Sequence, residues 1–390
     1  MPAANSAVGW DVDPEVAGWP GFPRLLRRIR ADVCVVGLGG SGLAAVGAAI
    51  RRGLSVVGLD AGRVAAGAAG RNGGFLLAGP AIAVHQAATG WGLDTALALY
   101  RQTLDEIAAL QELLGPEVIR AVGSLRTAGL PGEPFDAAEA ADRERELADC
   151  QRQLAIMTEH GLAAEWYDGE LGPGLYLPDD AAMNPARRAL GLSRLYQGRA
   201  QLFENTPVLQ LETGLVTVPD GAVAAEVVVV AVDGRLEIIL PELADRVRTT
   251  RLQMAAYDPI APGRLPCPAY SRWGYDYAQQ DSTGRLFVGG GRDQDLDNEW
   301  TLSTEPTPVV QGWIDRIAAR FAGGPVRATH RWAASAGYTK DARPIVAEVR
   351  PGIFACGGYN GTGNLVGPIA ARAALDYALD GLKPGPYFAG

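Results

Sequence analysis

The stretch that decides the fold is ADVCVVGLGGSGLAAVGAAIRRGLSVVGLD, residues 31–60. Its first part, DVCVVG (32–37), is a short β-branched apolar segment ending in glycine, which is typical of a fully buried parallel strand. Small and apolar residues follow in SGLAAVGAAIRRG (41–53), which predicts a helix packed closely on a sheet, and SVVGLD (55–60) predicts the next buried strand. The stretch therefore predicts a β-α-β unit and an α/β fold.

The glycines between the first strand and the helix are spaced for dinucleotide binding. Gly37, Gly39 and Gly42 form G-x-G-x-x-G, in which the glycines allow a tight turn, close approach of a pyrophosphate and close helix packing. The helix N-terminus then offers N–H groups to the phosphates, and an acid ending the second strand suits a ribose hydroxyl. The predicted nucleotide-binding residues here are Gly37, Gly39, Gly40, Ser41, Gly42, Asp60 and Ala61.

Beyond this unit, the pattern changes between helical and strand periodicity. A mostly helical insertion is predicted from about residue 85 to 170, because 103–115 and 137–161 each combine an apolar stripe with a charged face. Further helices are predicted at 184–200 and 365–381. Further strands are predicted at 201–205, 208–212, 225–232 and 353–358, and three strands of a second sheet between 252 and 291.

Composition excludes several classes of protein. The formal net charge of −9 comes without a basic cluster of the size that binding to nucleic acid needs. The four cysteines are far apart and form no C-x-x-C pair, so we expect reduced thiols and no metal site. The acidic start MPAANSAVGWDVDPEV predicts no secretory signal, and no apolar stretch approaches a membrane span, so we expect a cytoplasmic protein.

A family resemblance rests on the loop after the second strand and on five later blocks. The loop is AGRVAAGAAGRNGGF (61–75), with GRNGG as its most distinctive part. The later blocks are MNPARRALGLSRLYQ (183–197), EVVVVAVDG (226–234), GRLFVGGGRD (284–293), HRWAASAGYTKDARPIVAE (330–348) and FACGGYNGTGNLVGPIAARAALD (354–376). About half of the chain thereby resembles the FAD-dependent amine and amino-acid oxidases, which include D-amino-acid, glycine and sarcosine oxidases. The loop is most similar to the γ-glutamylputrescine oxidase branch.

The resemblance implies a fold, a domain organisation and a cofactor. The fold is a FAD-binding Rossmann-like domain of the glutathione-reductase type, interleaved with a substrate domain of mixed β-sheet plus helical cap. The implied parts are an N-terminal arm (1–30), a discontinuous FAD-binding domain (31–85, 184–235 and 330–390) and a substrate domain (86–183 and 236–329). Sarcosine oxidases hold the flavin covalently through a cysteine where this chain has Ala334, so we expect noncovalent FAD.

The resemblance also implies where FAD lies. The GRNGG loop would pass under the flavin and the ribityl chain, and Val208 would present its backbone to adenine. The glycine-rich turn near the C-terminus would direct a second helix N-terminus at the O2 and N1 edge of the flavin, where a positive dipole end stabilises the anionic reduced form. The residues added to the cofactor site are Gly70, Arg71, Asn72, Gly73, Gly74, Val208, Gly361, Thr362, Gly363 and Asn364.

The implied activity is oxidation of a C–N bond by hydride transfer to flavin N5. The substrate is a small amine or amino acid, the product is an imine that hydrolyses, and oxygen or another acceptor reoxidises the flavin. The predicted substrate-face residues are His330, Trp332, Tyr338, Tyr359, Asn360 and Arg292, with Tyr275 and Tyr277 as weaker candidates.

Some positions depart from the family pattern and keep alternatives open. Ala336 stands where glycine and D-amino-acid oxidases have a carboxylate-binding arginine. A simple α-amino acid would therefore need Arg292 or Arg331 to bind its carboxylate in place of that arginine. Phe287 or a neighbour stands where sarcosine oxidases have an oxygen-activating lysine. Lys340 is then the other candidate for that role. The alternatives are an NAD-dependent dehydrogenase, or a FAD-binding protein with a degenerate active face.

Overall fold

The computed structural model describes residues 7–389, which divide into two compact units. Unit 1 comprises the chain up to Val12, Asn72–Asn184 and Arg251–Ala334. Unit 2 comprises Asp13–Arg71, Pro185–Thr250 and the chain from Ser335. Each unit is therefore built from three separate parts of the chain, so residues far apart in sequence meet within it.

The regular elements of the described residues are strands, α-helices and short 3-10 turns. The strands are β1 (Arg28–Val36), β2 (Val56–Leu59), β3 (Phe75–Leu76), β4 (Ile119–Arg120), β5 (Ser124–Thr127), β6 (Glu165–Gly169), β7 (Gly172–Leu177), β8 (Ala181–Met183), β9 (Gln201–Phe203), β10 (Gln210–Glu212), β11 (Leu215–Val218), β12 (Gly221–Val230), β13 (Val247–Pro259), β14 (Ala269–Ser271), β15 (Asp276–Gln280), β16 (Arg285–Gly290), β17 (Ala328–Thr339), β18 (Ile345–Arg350) and β19 (Ile353–Gly357). The α-helices are α1 (Pro14–Ala17), α2 (Gly40–Arg51), α3 (Ala68–Arg71), α4 (Val84–Trp91), α5 (Leu93–Leu114), α6 (Ala137–Glu159), α7 (Pro185–Tyr196), α8 (Leu236–Ile239), α9 (Leu296–Glu299), α10 (Pro308–Ala322) and α11 (Val366–Asp380). The 3-10 turns are Gly9–Val12, Pro241–Leu243, Arg272–Gly274 and Arg292–Asp295.

Unit 2 is organised around an eight-stranded sheet with a parallel centre. Strand β1 pairs in parallel with β2 on one side and β12 on the other, so that Cys34 lies opposite both Val57 and Val228. Strands β9 and β19 extend the parallel region outward, and β10, β11 and β18 join it in antiparallel pairs. The predicted β-α-β unit and the predicted strands at 201–205, 225–232 and 353–358 are confirmed, with ends that shift by a few residues.

The centre of this sheet is buried because its strands carry apolar residues on both faces. Val33, Val35, Val228 and Val229 have no exposed surface, which is expected of parallel strands covered by helices. Helices α2 and α11 pack against each other and against the sheet. This packing places the N-termini of two helices, each preceded by a glycine-rich turn, in the same unit.

Most of a second eight-stranded sheet, in the order β17-β13-β16-β15-β14-β5-β7-β6, lies in unit 1. Strand β16 runs antiparallel to β13 and β15, β15 to β14, and β7 to β5 and β6, whereas β14 and β5 run parallel. Helix α10 packs on β15 and β16, with Ile314, Ile317 and Phe321 in the shared core. A three-stranded sheet in the order β3-β8-β4 completes this unit.

Two sequence predictions need correction. The insertion predicted as mostly helical also contains β4, β5 and β6, and β5 and β6 belong to the large sheet of unit 1. These strands have two to five residues and lie beside glycines and prolines, so the long helices α5 and α6 dominated the periodicity. The first strand, predicted from Asp32, begins at Arg28 as β1, and Arg28 and Arg30 at its start are exposed.

The unit limits also differ in detail from the predicted domain limits. The units change at residues 71/72, 184/185, 250/251 and 334/335, whereas the sequence suggested 85/86, 183/184, 235/236 and 329/330. The arm predicted over 1–30 divides at Val12 between the two units, and its described part includes the 3-10 turn Gly9–Val12 and helix α1.

Candidate cofactor and substrate sites

The turn between β1 and α2 requires glycine at two positions, Gly37 and Gly42. Gly37 adopts a positive φ of +94°, and its N–H donates to the carbonyl of Leu59 at 2.8 Å. A Cβ on Gly42 would lie 1.7 Å from the carbonyl oxygen of Gly37, so the helix begins in direct contact with the turn. Within the described residues, no side chain caps α2 at Gly39. The first-turn N–H groups of α2 are therefore suited to bind an anion such as a diphosphate.

Asp60 holds the glycine turn from the end of β2. Its Oδ2 accepts the N–H of Leu38 at 2.8 Å and its Oδ1 accepts the N–H of Gly62 at 2.9 Å. Burial raises the pKa of Asp60 to about 6 against the effect of these two N–H groups, and the nearby Glu204 raises it further. Each carboxylate oxygen keeps a lone pair, so the predicted ribose hydrogen bond is compatible with this role.

Sequence reasoning missed Arg188, which joins the two glycine turns of unit 2. This arginine of α7 is 1% exposed, and its Nη2 donates to the carbonyl of Asn364 at 2.8 Å. A Cβ on Gly40 would lie 2.5 Å from its Nη1, so the guanidinium occupies the space beside the start of α2. The pattern NPARR marks an amphipathic helix, and the signal that could have identified Arg188 is an arginine on its apolar face.

The C-terminal turn is a compact, hydrogen-bonded loop between β19 and α11. The buried carboxylate of Asp233 accepts the N–H groups of Tyr359 at 2.9 Å and Gly337 at 3.0 Å, and burial raises its pKa to about 6. Asn360 adopts a positive φ of 53°, accepts the N–H of Thr339 and donates to the carbonyl of Gly358. Helix α11 begins at Val366, one residue after the predicted start.

This loop gives most of the predicted C-terminal residues structural contacts. Tyr359 is 2% exposed, and its ring lies where a Cβ on Gly363 would come within 3.0 Å. The hydroxyl and the backbone N–H of Thr362 both donate to the carbonyl of Tyr359. The carbonyl of Asn364 accepts a hydrogen bond from Arg188. Tyr338 is half-buried, with its hydroxyl 3.5 Å from the position of a Cβ on Gly361.

The loop 61–74 passes from unit 2 into unit 1 between Arg71 and Asn72. Its unit 2 part folds tightly, because a Cβ on Gly70 would lie 2.2 Å from the carbonyl oxygen of Ala65. In unit 1, the side chain of Asn72 accepts the N–H of Gly74 at 2.8 Å, and the carbonyl of Gly73 accepts from Gln279.

Val208 lies on the segment that follows β9 in unit 2. It is half-buried and packs against the apolar core around β12 and β18. The nearby chain is fixed to the ribose end of the predicted site, since Thr206 N–H donates to the carbonyl of Asp60 at 2.8 Å. The fold thus holds Val208 near Asp60 in one unit, as adenine and ribose recognition by one nucleotide requires.

The remaining substrate candidates lie in unit 1. Arg292 lies with its guanidinium carbon 5.1 Å from the Trp300 ring and 6.0 Å from the Tyr275 ring. His330 contacts Thr329 at 3.0 Å and Arg285 at 3.4 Å, and burial together with the Arg285 charge lowers its pKa. Trp332 is 2% exposed.

The remaining candidates named from the sequence are Arg331, Tyr277 and Lys340. Arg331 forms a two-point salt bridge with Asp315 at 2.8 and 2.9 Å, so it is not available as a carboxylate clamp. Tyr277 packs over Gly73 and Gly289, and Lys340 is exposed.

Among residues 7–389, no group of three His, Cys, Asp or Glu side chains is arranged to hold a metal ion. No helix in that range is long and apolar enough to cross a membrane.

The glycine turn, the uncapped start of α2 and the acid at the end of β2 define a dinucleotide-binding protein of the Rossmann-like class. The model of the FAD-dependent oxidoreductase family matches residues 32–377, and the chain belongs to that family. Its cofactor is FAD, and the NAD-dependent alternative is wrong. The space left by the glycines and the N–H groups of α2 fit the diphosphate of FAD.

Relatives and solved structures match nine tenths or more of the chain. The probable oxidoreductase OrdL of Rhizobium meliloti (strain 1021) is 26% identical, with 93% of this chain and 88% of that protein covered. The gamma-glutamylputrescine oxidoreductase of Escherichia coli (strain K12) is 25% identical, with 90% and 84% covered. Among solved structures, glycine oxidase from Geobacillus kaustophilus superposes with a TM-score of 0.69 at 19% identity, covering 91% of this chain and 96% of that one. L-proline dehydrogenase from P. horikoshii gives 0.70 at 16% identity, covering 93% and 98%.

Proposed function

We propose that the protein oxidises a C–N bond of a small amine or amino acid, with noncovalently bound FAD as the electron acceptor. The observation that carries this proposal is Arg188, which connects the turn before α2 with the turn before α11 inside unit 2. One extended cofactor can then use the first helix N-terminus for its diphosphate and the second for its flavin edge. The names of the relatives, a gamma-glutamylputrescine oxidoreductase and a glycine oxidase, support an amine or amino acid as substrate.

Noncovalent binding is supported by the cysteines. Cys34, Cys150, Cys267 and Cys356 are all free and buried, and burial raises the pKa of each thiol to about 12. A thiol must ionise to act as a nucleophile, so none of the four is suited to form a bond to the flavin. Treating the protein with acid or denaturant is expected to release all of the FAD, which gel filtration and absorbance would detect.

FAD, when bound, supplies the two-electron acceptor at flavin N5. The residues of this chain have the tasks of binding the cofactor and orienting the substrate. The first-turn N–H groups of α2 would bind the diphosphate, Asp60 the ribose, and the segment at Val208 the adenine. The loop Gly70–Gly74 and the turn Gly361–Asn364 would border the flavin.

We assign recognition of an anionic group on the substrate to Arg292. The position of the usual clamp is occupied by Ala336, and Arg331 is bound to Asp315. Arg292 lies near the rings of Tyr275 and Trp300, and aromatic faces restrict the positions that a guanidinium takes up. A substrate that carries a carboxylate is the chemistry that this guanidinium favours. His330 stays neutral at pH 7 because its pKa is lowered, so it does not repel a substrate ammonium group.

The visible spectrum of the purified protein tests this function. Under anaerobic conditions, a panel of amines and amino acids is added, and bleaching of the flavin bands by one class identifies the substrate. Readmitting air shows whether oxygen is the acceptor, because the bands return quickly only in an oxidase. A flavin that no compound bleaches would overturn the proposed activity and favour the degenerate active face.

The Arg292 assignment has its own test once a substrate is found. Arg292→Met is expected to raise KM at least about tenfold for a substrate that carries the anionic group, since a charge-assisted hydrogen bond is lost. The KM of an analogue lacking that group is expected to stay unchanged. Equal effects on both compounds would contradict the assignment.

A further inference from the structure

The N-terminal arm contacts the loop 61–74 near both of its ends. We propose that the arm, residues 8–22, is part of the cofactor site, with Trp10 and Trp19 as positioning residues for that loop. This inference rests on the proposed function, because the loop borders FAD only in that proposal. It adds a segment that lies before the family match, which begins at residue 32.

Trp10 holds the end of the loop that belongs to unit 1. Its indole N–H donates to the carbonyl of Asn72, inside the GRNGG segment, at 2.9 Å. Its ring lies flat on Phe287 of β16, with the centroids 3.6 Å apart and an angle of 3° between the planes. Trp10 is 3% exposed, so an apolar stack fixes the direction in which the indole donates.

The backbone beside Trp10 fits the sheet closely enough to exclude a side chain. A Cβ on Gly9 would lie 2.7 Å from the Cβ of Ala256 and 2.9 Å from the ring of Trp332. The guanidinium of Arg285 approaches the carbonyl of Gly9 at 3.4 Å. The arm is therefore seated on the sheet of unit 1 at a defined register, and this seat sets the position of the indole.

Glu204 connects the arm with the other end of the loop, within unit 2. Its carboxylate is 2% exposed; Oε1 accepts the indole N–H of Trp19 at 2.9 Å and the backbone N–H of Val64 at 2.8 Å. Oε2 accepts the backbone N–H of Phe22 at 3.1 Å. A buried carboxylate needs such donors, so the arm and the loop bind to Glu204 together.

A second arm contact supports the same end of the loop. The guanidinium of Arg63 donates to the carbonyl of Val16 in α1 at 3.2 Å. Arm residues thus meet the loop at Arg63, through Glu204 at Val64, and at Asn72. Two of these contacts precede the segment Gly70–Gly74 that is proposed to border the flavin, and the third lies within it.

The loop needs external support because its own sequence is flexible. Gly62, Gly67, Gly70, Gly73 and Gly74 allow many backbone conformations in the free loop, and its regular structure is limited to α3. Hydrogen bonds from the arm restrict these conformations before FAD binds. Preorganisation of this kind increases affinity, since less ordering remains to be done on binding.

The test uses Trp10→Phe, Trp19→Phe and the double variant in the full chain. Phenylalanine keeps an aromatic ring in each place and removes the indole N–H together with the rest of the five-membered ring. Apoprotein is titrated with FAD by flavin fluorescence, the release rate and visible spectrum are recorded, and thermal unfolding of the apoprotein reports folding. Trp166→Phe is the matched control, because Trp166 is an exposed residue of β6 without a contact to the loop in the described residues.

Each single variant is expected to raise the Kd for FAD about fivefold, as loss of one buried hydrogen bond predicts. The double variant is expected to raise it about 25-fold, because the two contacts lie at separate ends of the loop. Trp10→Phe is also expected to shift the visible spectrum of the bound flavin, and Trp166→Phe to match the wild type. A double variant whose Kd stays within twofold of the wild type overturns the inference, even if its melting temperature falls.

Failure of the proposed function is a distinguishable result. A wild-type protein that does not bind FAD overturns both proposals, whereas a wild type that binds FAD as tightly as the double variant overturns only this one. If the double variant does not fold, the single variants apply the same criterion, with an unchanged Kd in both as the contradicting result.

Discussion

The substitution Gly42→Ala isolates the contact between the glycine turn and α2. The added Cβ would lie 1.7 Å from the carbonyl oxygen of Gly37 and 2.9 Å from its carbonyl carbon, so it falls about 1.3 Å short of the closest real contacts. The obstacle is backbone, which cannot rotate away as a side chain does. The start of α2 must therefore move, and the N–H groups of residues 40–42 move with it.

The size of the effect follows from the hydrogen bonds at stake. Loss of two N–H groups that bind a charged phosphate, at about 1.5 kcal/mol each, corresponds to roughly a 100-fold increase in the Kd for FAD. The apoprotein is expected to lose about 2 kcal/mol of unfolding free energy, as overpacked core sites do. Urea unfolding of the apoprotein and fluorescence titration with FAD measure the two quantities separately.

Two glycine substitutions serve as controls. Gly47→Ala lies in the same helix, and its Cβ would meet the Tyr196 hydroxyl at 2.3 Å; we expect a cost of about 1 kcal/mol in stability but a Kd within threefold of the wild type. Gly312→Ala lies in α10 with no atom within 4 Å, and is expected to gain roughly 0.5–1 kcal/mol from helix propensity. A Gly42→Ala protein that binds FAD within threefold of the wild type would refute the assignment of the diphosphate to this turn.

Three further outcomes follow from buried charges. Arg188→Met is expected to raise the Kd for FAD about tenfold, because the hydrogen bond to the Asn364 carbonyl and a buried positive charge disappear; an unchanged Kd in a folded variant would show that Arg188 does not support the cofactor. Burial raises the pKa of Asp60 to about 6 from about 3.9 in an unfolded chain, so the native apoprotein binds the extra proton and is stabilised by it at low pH. The unfolding free energy of the wild type minus that of Asp60→Asn is therefore expected to fall between pH 4 and 6, by at most about 1.4 kcal/mol per pH unit, and a flat difference would contradict the shift. Glu299→Gln leaves the Arg251 guanidinium without its buried carboxylate partner at 2.7 Å, so a loss of about 3 kcal/mol in urea unfolding is expected, and a loss below 1 kcal/mol would show that the pair is compensated.

The sequence predicted the parallel sheet of unit 2 well because its strands are determined locally. Val-rich segments such as 225–232 are buried on both faces, and a glycine turn marks the end of β1. The strands β5 and β6 escaped prediction because they are short and depend on pairing with β7 and β14. A segment of four or five residues carries too little periodicity to outweigh the long helices on either side.

The same contrast between local and long-range determinants holds for the residues of the candidate site. Glycine positions such as Gly37 and Gly42 were predictable, because a turn with positive φ or a contact below 3 Å admits no other residue. The partners of Arg188 and Trp10 were not predictable, because neither an arginine on the apolar face of a helix nor a tryptophan in an irregular arm shows in the sequence which group it binds. Both donate hydrogen bonds to backbone carbonyls of the glycine segments, at Asn364 and Asn72. A backbone carbonyl places no demand on the sequence at its own position, so only the assembled structure shows which side chain binds it.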